Sequence, residues 1–190
     1  MGFLLAAGKS SRMGADKALL EFQGQTLLQR GLAVVGHVCT RVAIVGDPEQ
    51  FSNYGSVVAD VYSGCGPLAG IHAALADSSA ELNLMLAVDM PFVSAKLLSH
   101  SFSEAEESGA VVTVPRTGKG LQPLCAVYRR EFASVADRAL RAGKYKIDAL
   151  FAGLSRRIVE EGELEKAGFS ERNFFNVNTP EDLCIAEKFF

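Results

Sequence analysis

Between Leu5 and Lys17 the chain reads Leu-Ala-Ala-Gly-Lys-Ser-Ser-Arg-Met-Gly-Ala-Asp-Lys, a run of small residues, hydroxyls and cations directly after the apolar start Gly2-Phe3-Leu4-Leu5-Ala6. Gly8 and Gly14 permit positive φ values or close backbone approach. Successive N–H groups can therefore turn inward to form an anion-binding concavity. Arg12, as a planar fork, and Lys17, as a point charge, can stand beside phosphoryl oxygens. That chemistry suits a polyphosphate; the alternative is a solvated Gly/Ser surface loop.

Two carboxylates complete the set. Asp60 follows Val57-Val58-Ala59, and Asp89 ends the long apolar run from Leu82 to Val88. In open α/β sheets ligands collect outside the carboxyl ends of strands, so the loop and both carboxylates converge on one crevice. Opposite a phosphate-binding loop, Asp89 suits a Mg²⁺ ion held by a carboxylate, substrate phosphates and water; capping a helix start is its structural alternative. Asp60 suits either a turn or a ligand contact.

Familiar motifs are excluded. Gly8-Lys9-Ser10 has Phe3 where the P-loop needs glycine, and Gly64-Cys65-Gly66-Pro67-Leu68-Ala69-Gly70 is one residue too long for the dinucleotide fingerprint. No GxSxG element or Ser/His/Asp set is readable, so covalent catalysis is not supported. His72 shares a helical face with Leu68 and Leu75, as a core or boundary histidine does, and His37 and His100 follow helical stretches. Arg116 and Lys119 in a glycine-rich loop, and Arg141, Lys144 and Lys146 in a small basic patch, are read first as solvated cations.

The elements that must position these groups follow from periodicity. Thr26 is an N-cap for a helix toward Gly36 with Leu28, Leu32 and Val35 on its apolar face. Arg41–Val45, Val57–Ala59 and Leu82–Val88 read as strands, and Gly66-Pro67 opens a helix with proline at its first position. Ser94 caps a further helix, Ala110–Val114 gives a strand, and residues 115–120 look like a mobile loop. An amphipathic helix runs from Phe132 toward Gly143, and Thr179-Pro180-Glu181-Asp182 starts a terminal helix. Alternating strands and helices predict an α/β fold: a single domain with a mostly parallel twisted sheet and helices on both faces.

With 190 residues, 48% hydrophobic and 22% charged, one substantial core is expected, and no compositional break divides it. A formal net charge of −3 gives no bulk electrostatic case for nucleic-acid binding. Cys39, Cys65, Cys125 and Cys184 lack CxxC or zinc spacing, so thiols are expected rather than a disulfide framework or structural metal. Neither a secretory signal pattern nor an apolar span of about 18 residues is present, which predicts a cytoplasmic protein without a membrane partner.

The stretch from Leu5 to Arg30 resembles the N-terminal signature of nucleotidyltransferases that include nucleotide-sugar pyrophosphorylases and molybdenum cofactor transferases. Gly66-Pro67-Leu68-Ala69-Gly70, Asp89-Met90-Pro91-Phe92, Gln122-Pro123-Leu124 and Phe175-Asn176-Val177-Asn178-Thr179-Pro180-Glu181-Asp182-Leu183 narrow the resemblance to the molybdenum cofactor guanylyltransferase family. Their order and spacing span nearly the whole chain. The resemblance implies a Rossmann-like nucleotidyltransferase fold over residues 1–190, with a nucleotide-binding part at about 1–92 and a pterin side at about 93–190.

It further implies transfer of GMP from MgGTP to molybdopterin. Leu5, Ala6 and Ala7 are then implied at the nucleotide, with Gly8 shaping the loop and Lys17 at the phosphates, where the loop chemistry places Arg12 as a second cation. Asp60 is implied at the nucleotide, Asp89 at nucleotide and Mg²⁺, and Gln122, Asn176 and Asn178 on the pterin side. Transient contact with molybdenum-insertion proteins or molybdoenzyme chaperones would accompany such a role. Two positions depart from the guanylyl pattern: Ala7 stands where glycine is usual, as in cytidylyl-transferring relatives, and Val45 stands where a polar residue often ends the second strand. The Gly66–Gly70 motif favours the guanylyl branch. The alternatives are a cytidylyltransferase, a sugar-1-phosphate nucleotidyltransferase and a non-catalytic nucleotide-binding adaptor.

Overall fold

The apolar runs of the N-terminal half become neighbouring strands of one sheet, and the segments between them become the helices that cover it. The computed structural model of the protein describes residues 1–6, 17–62 and 64–189. The N-terminal half comprises β1 (Gly2–Leu5), the ribbon β2 (Glu21–Phe22) and β3 (Gln25–Thr26), α1 (Leu27–Gly36), β4 (Val42–Val45), α2 (Pro48–Phe51), β5 (Val57–Val58), α3 (Pro67–Asp77) and β6 (Leu82–Ala87). There follow α4 (Ala95–Ser108), β7 (Val112–Thr117), β8 (Gly120–Leu121), β9 (Cys125–Arg129), α5 (Phe132–Arg141), α6 (Ile147–Leu150), β10 (Arg156–Val159), α7 (Glu161–Lys166) and α8 (Pro180–Glu187).

The main sheet runs β10-β7-β9-β6-β1-β4-β5, with β8 paired to β7 outside this path. β1 is parallel to β4 and β6, β4 to β5, and β7 to β10; along this path β9 runs antiparallel, between β6 and β7, and off it β8 is antiparallel to β7. The fold is thus α/β with a mostly parallel sheet, as the alternation of elements predicts.

Side-chain alternation along the strands sorts the core into two layers. Leu4, Ile44, Leu84 and Leu86 join Leu27, Leu28 and Val35 of α1 and Leu97 and Leu98 of α4 in one buried cluster. Their neighbours Phe3, Leu5, Ala43, Val45 and Met85 join Leu68, Ile71 and Leu75 of α3 and Phe132 and Ala136 of α5 in the other. Helices therefore lie on both faces. Gly31 lets α1 sit close on β1, because a Cβ there would come within 2.6 Å of Leu4 Cδ1.

The connectivity creates a crevice. From β1 the chain passes through α1 to β4 and on to β5, then returns through α3 to β6 on the other side of β1. The strand order reverses at β1, and in doubly wound sheets such a switch point leaves an opening at the carboxyl edge where ligands bind.

One expectation is corrected. Residues 115–120, read as a mobile loop, extend β7 through Thr117 and turn tightly into β8, with Arg116 opposite Leu121 and Thr117 opposite Gly120. Pro115 fits because its carbonyl accepts from Gln122 N at 2.9 Å, a role that needs no N–H. Gly120, at φ +104°, supplies the backbone conformation that closes the hairpin. Arg116 Nη1 pairs with Glu160 at 3.0 Å, and Glu161 Oε1 accepts from Gly118 N at 3.0 Å, so α7 and the residue before it hold the turn.

Candidate active site

Three segments far apart in sequence meet at the carboxyl edge of β1 and β6, and each is fixed by its own local structure. Lys17 begins a 3₁₀ turn whose next residue, Ala18, is fully buried. The β2–β3 hairpin follows, its two-residue turn made by Gln23 (φ 53°) and Gly24 (φ 75°), the backbone that a tight hairpin demands. Thr26 then closes a capping box with Gln29 at the start of α1. Phe22, buried below the turn, packs edge-on against Phe92 with ring centroids 5.7 Å apart.

Asp89 lies just past β6. The strand hydrogen bonding continues through Val88, whose N–H donates to Leu5 O at 3.1 Å, and Met90 and Val93 beyond it are buried. The Asp89 carbonyl accepts from Val177 N at 2.9 Å. That bond brings the C-terminal segment to the edge, because Val177 itself is fully buried. Asn178 follows, its N–H held by Asp182 Oδ2 at 2.9 Å, and Asp182 also closes a capping box with Thr179 at the start of α8. The helix-start signal at Thr179–Asp182 thus does more than begin a helix: it orients Asn178.

The convergence is direct. Lys17 Nζ donates to Asp89 Oδ2 at 2.6 Å and to Asn178 Oδ1 at 2.6 Å. The lysine and aspartate side chains are only 16% and 17% exposed. Asp89 Oδ1 is buried and has no hydrogen-bond partner among the described residues. A buried carboxylate oxygen without a partner is costly, and a bound cation or donor is the ordinary reason for one. Among the described residues no three His, Cys, Asp or Glu side chains gather as a protein-only metal cage. One carboxylate with a spare oxygen is instead the protein contribution typical of Mg²⁺, which takes its remaining ligands from phosphates and water.

The other sequence-derived positions distribute around this centre. Leu5 and Ala6 end β1 within the crevice: Leu5 packs its side chain into the α3-side core, and Ala6 N donates to Val45 O at 2.9 Å. Asp60 lies beyond β5, two strands from β1, and its Oδ1 accepts from Tyr62 N at 2.8 Å, forming a turn. Gln122 directs its side-chain amide to Thr117 Oγ1 at 3.0 Å, within the β7–β8 hairpin. Asn176 Nδ2 donates to Phe174 O at 3.2 Å. Asn178 alone of these three contacts Lys17. Ala7, Gly8 and Arg12 lie outside the described residues.

The histidines and surface cations take structural partners. His37 Nδ1 lies 2.6 Å from Ala33 O at the end of α1, and His100 stacks on Phe169 at 5.5 Å. Lys119 stands over Phe175 at 5.8 Å, 3.6 Å from Glu171. Arg141 pairs with Asp137 at 2.8 Å. No sequence signal marks Asp182 as the residue that holds Asn178, although the capping pattern names it. Nothing local marks Tyr62 or Asp137, whose contact spans the fold.

Comparison with known proteins identifies relatives along nearly the whole chain. Residues 2–161 match the family model of the MobA-like NTP transferase domain. A protein of Pelotomaculum thermopropionicum named "Probable molybdenum cofactor guanylyltransferase" is 40% identical over 97% of this chain and 90% of its own length. The molybdenum cofactor guanylyltransferase of Desulfosudis oleivorans is 34% identical over 98% of this chain and 93% of its own. The crystal structure of molybdopterin-guanine dinucleotide biosynthesis protein A from Archaeoglobus fulgidus superposes with a TM-score of 0.87 at 30% identity, covering 99% of this chain and 97% of that one. A fold with its crevice at the β1 switch point, a lysine and an aspartate paired across it, and this likeness along nearly the full chain lead to one assignment: the chain belongs to the MobA-like NTP transferase family.

Proposed function

We propose that the protein transfers GMP from GTP to molybdopterin, forming the molybdopterin guanine dinucleotide and releasing pyrophosphate. The observation that carries the reading is the Lys17–Asp89–Asn178 constellation at the switch point, in which Asp89 keeps an unpartnered oxygen. The names of full-length relatives support the base and the acceptor.

In the proposed reaction a terminal phosphate oxygen of molybdopterin attacks the α-phosphorus of GTP. The new P–O bond forms as the bond from the α-phosphorus to its β-bridging oxygen breaks, and pyrophosphate leaves with that electron pair. The attacking oxygen is already anionic, so no general base is required. Catalysis then rests on positioning and charge compensation. Lys17 turns one or more N–H donors from Asp89 to phosphoryl oxygens, and Asn178 keeps the ammonium oriented while it does so. Asp89 would hold Mg²⁺ through its carboxylate, and the ion would supply charge neutralisation at the phosphates. Leu5 and Ala6 provide the backbone floor at the end of β1, and Arg12 is proposed as a further phosphate ligand.

On this reading the C-terminal segment around Asn176 and Asn178, with Gln122 nearby on the β7–β8 side, faces the pterin. A molybdenum-insertion protein or molybdoenzyme chaperone would take over the product. All four cysteines are thiols, in keeping with a reducing compartment such as the cytoplasm. Among the described residues no helix is long and apolar enough to cross a membrane.

The test is pyrophosphate release by the purified chain with Mg²⁺ and molybdopterin, supplying GTP, CTP, ATP and UTP separately. Release with GTP alone is expected. Release with CTP alone would move the chain to the cytidylyl reaction that Ala7 suggests, and silence with all four would contradict nucleotidyl transfer to this acceptor.

A further inference from the structure

The turn after β5 is tethered to α5 by a contact between residues 75 positions apart: Tyr62 Oη donates to Asp137 Oδ1 at 2.6 Å. Tyr62 also holds the turn from within. Its N–H donates to Asp60 Oδ1 at 2.8 Å, and its carbonyl accepts from Cys65 N at 3.2 Å. One residue therefore fixes the Asp60 carboxylate and connects it to the chain entering α3.

The surroundings hold this bond in place. The Tyr62 ring packs edge-on against His72 of α3, with centroids 5.2 Å apart. Arg141 Nε donates to Asp137 Oδ2 at 2.8 Å, and His72 Nε2 lies 3.8 Å from Asp137 Oδ1. The phenol, and after it Arg141, hold the Asp137 carboxyl below its ordinary range, while the same bond pushes the Tyr62 phenol up. Asp137 thus stays an acceptor and Tyr62 a donor.

The tether adds a polar anchor to a turn that otherwise packs at the margin of the core, where Val58, Tyr62 and Cys65 lie against the α3-side cluster. β5 is an edge strand of two residues, Val57 and Val58, both only half-buried and paired to β4 alone. Val61, beside Tyr62, is 77% exposed. A short edge segment with exposed positions opens locally at lower free-energy cost than the central strands. On the proposed reaction Lys17 and Asp89 stand at the phosphates beside β1 and β6, and Asp60, beyond β5 on the other side of β1, would stand at the nucleoside end. A carboxylate at that end suits hydroxyl or N–H donors.

We infer that Asp137 is a positioning residue, which through Tyr62 holds the Asp60 turn preformed for the nucleoside end of the nucleotide. The inference rests on the proposed nucleotide reaction. It concerns binding and not the chemical step, so its signature is weaker nucleotide affinity with turnover retained.

The experiment uses the full chain and measures the GTP dissociation constant by calorimetry, pyrophosphate release at saturating GTP, and Tm. Asp137→Ala and Tyr62→Phe should each weaken GTP binding about tenfold, the order expected for losing a hydrogen bond to a charged group, with kcat within about twofold of the parent. The double variant should be no weaker than the poorer single, since both remove one contact. Asp137→Asn, which keeps an acceptor oxygen, should fall between. Unchanged GTP affinity in the single variants, whatever their Tm, or multiplied losses in the double, would overturn the inference. GTP binding by the parent without pyrophosphate release would overturn the transfer reaction while the affinity series still decides the role of Asp137; no GTP binding by the parent would overturn both.

Discussion

Lys17 and Asp89 satisfy one another across the crevice, Nζ to Oδ2 at 2.6 Å, and Asn178 Oδ1 offers the same ammonium a second acceptor at 2.6 Å. The charge that would meet a triphosphate is thereby neutralised in the free protein. On the proposed reaction, loading a nucleotide would exchange one partner for another: Lys17 would gain phosphoryl oxygens as Asp89 loses an ammonium. The pair serves as a placeholder that keeps both groups aimed into the crevice.

Lys17→Ala should lower the rate of pyrophosphate release by about 10²- to 10³-fold, the loss typical of removing one preorganised charge-stabilising group. The fold should survive, because the side chain contacts solvent as well as Asp89 and the buried partner of this turn is Ala18. Far-ultraviolet circular dichroism and steady-state release measure the two outcomes. Near-parental turnover would contradict a role for Lys17 at the phosphates.

Asp89→Asn keeps the shape of the side chain and removes its charge. Turnover should drop by orders of magnitude, and the Mg²⁺ concentration giving half-maximal rate should rise. A Mg²⁺ titration of pyrophosphate release checks this. Parental turnover at limiting Mg²⁺ would remove Asp89 from the metal site.

Asp182→Ala deletes the acceptor for the N–H groups of Asn178 and Thr179. Loss of such a capping interaction costs about 1 kcal/mol, which lowers Tm by about 2–4 °C for a chain of this size. Because Asn178 also loosens, turnover should fall further than the stability loss accounts for. Thermal unfolding alongside turnover well below Tm separates the two effects, and a stability loss with unaltered turnover would show that Asn178 needs no such support.

The cysteines differ by burial. Burial pushes the Cys125 thiol up to about 12 and raises Cys39 as well, whereas Cys184 is exposed. Only the thiolate reacts with alkylating agents. Iodoacetamide at pH 8 should modify Cys184 in the native protein and spare Cys125 until the chain is unfolded, as peptide mass spectrometry would read out. Rapid native labelling of Cys125 would contradict its buried place on β9.

Local signals made much of this arrangement legible. The apolar run Leu82–Val88, broken only by Asn83, the Gly66-Pro67 helix start and the Thr179-Pro180-Glu181-Asp182 cap each write their element into a few adjacent residues, and the strand–helix alternation yields the sheet. Residues 115–120 read as a loop because proline and glycine signal one, while in the fold Pro115 needs only its carbonyl and Gly120 shapes a hairpin. β10, with its short Arg-Arg-Ile-Val run, carries too weak an alternation to stand out before its pairing with β7 is seen. The site divides in the same way: Lys17 and Asp89 announce themselves by motif and strand end. The Lys17–Asn178 contact, 161 residues apart, and the Tyr62–Asp137 tether exist only once the sheet brings their elements together.

Isotopic tracking tests the proposed GMP transfer most directly. The chain is incubated with Mg²⁺, molybdopterin and GTP labelled at either the α- or the γ-phosphorus, and the products are separated. GMP transfer predicts α-label in the pterin dinucleotide and γ-label in an equimolar amount of pyrophosphate. Label appearing as GDP and inorganic phosphate, or α-label absent from the pterin product, would contradict it.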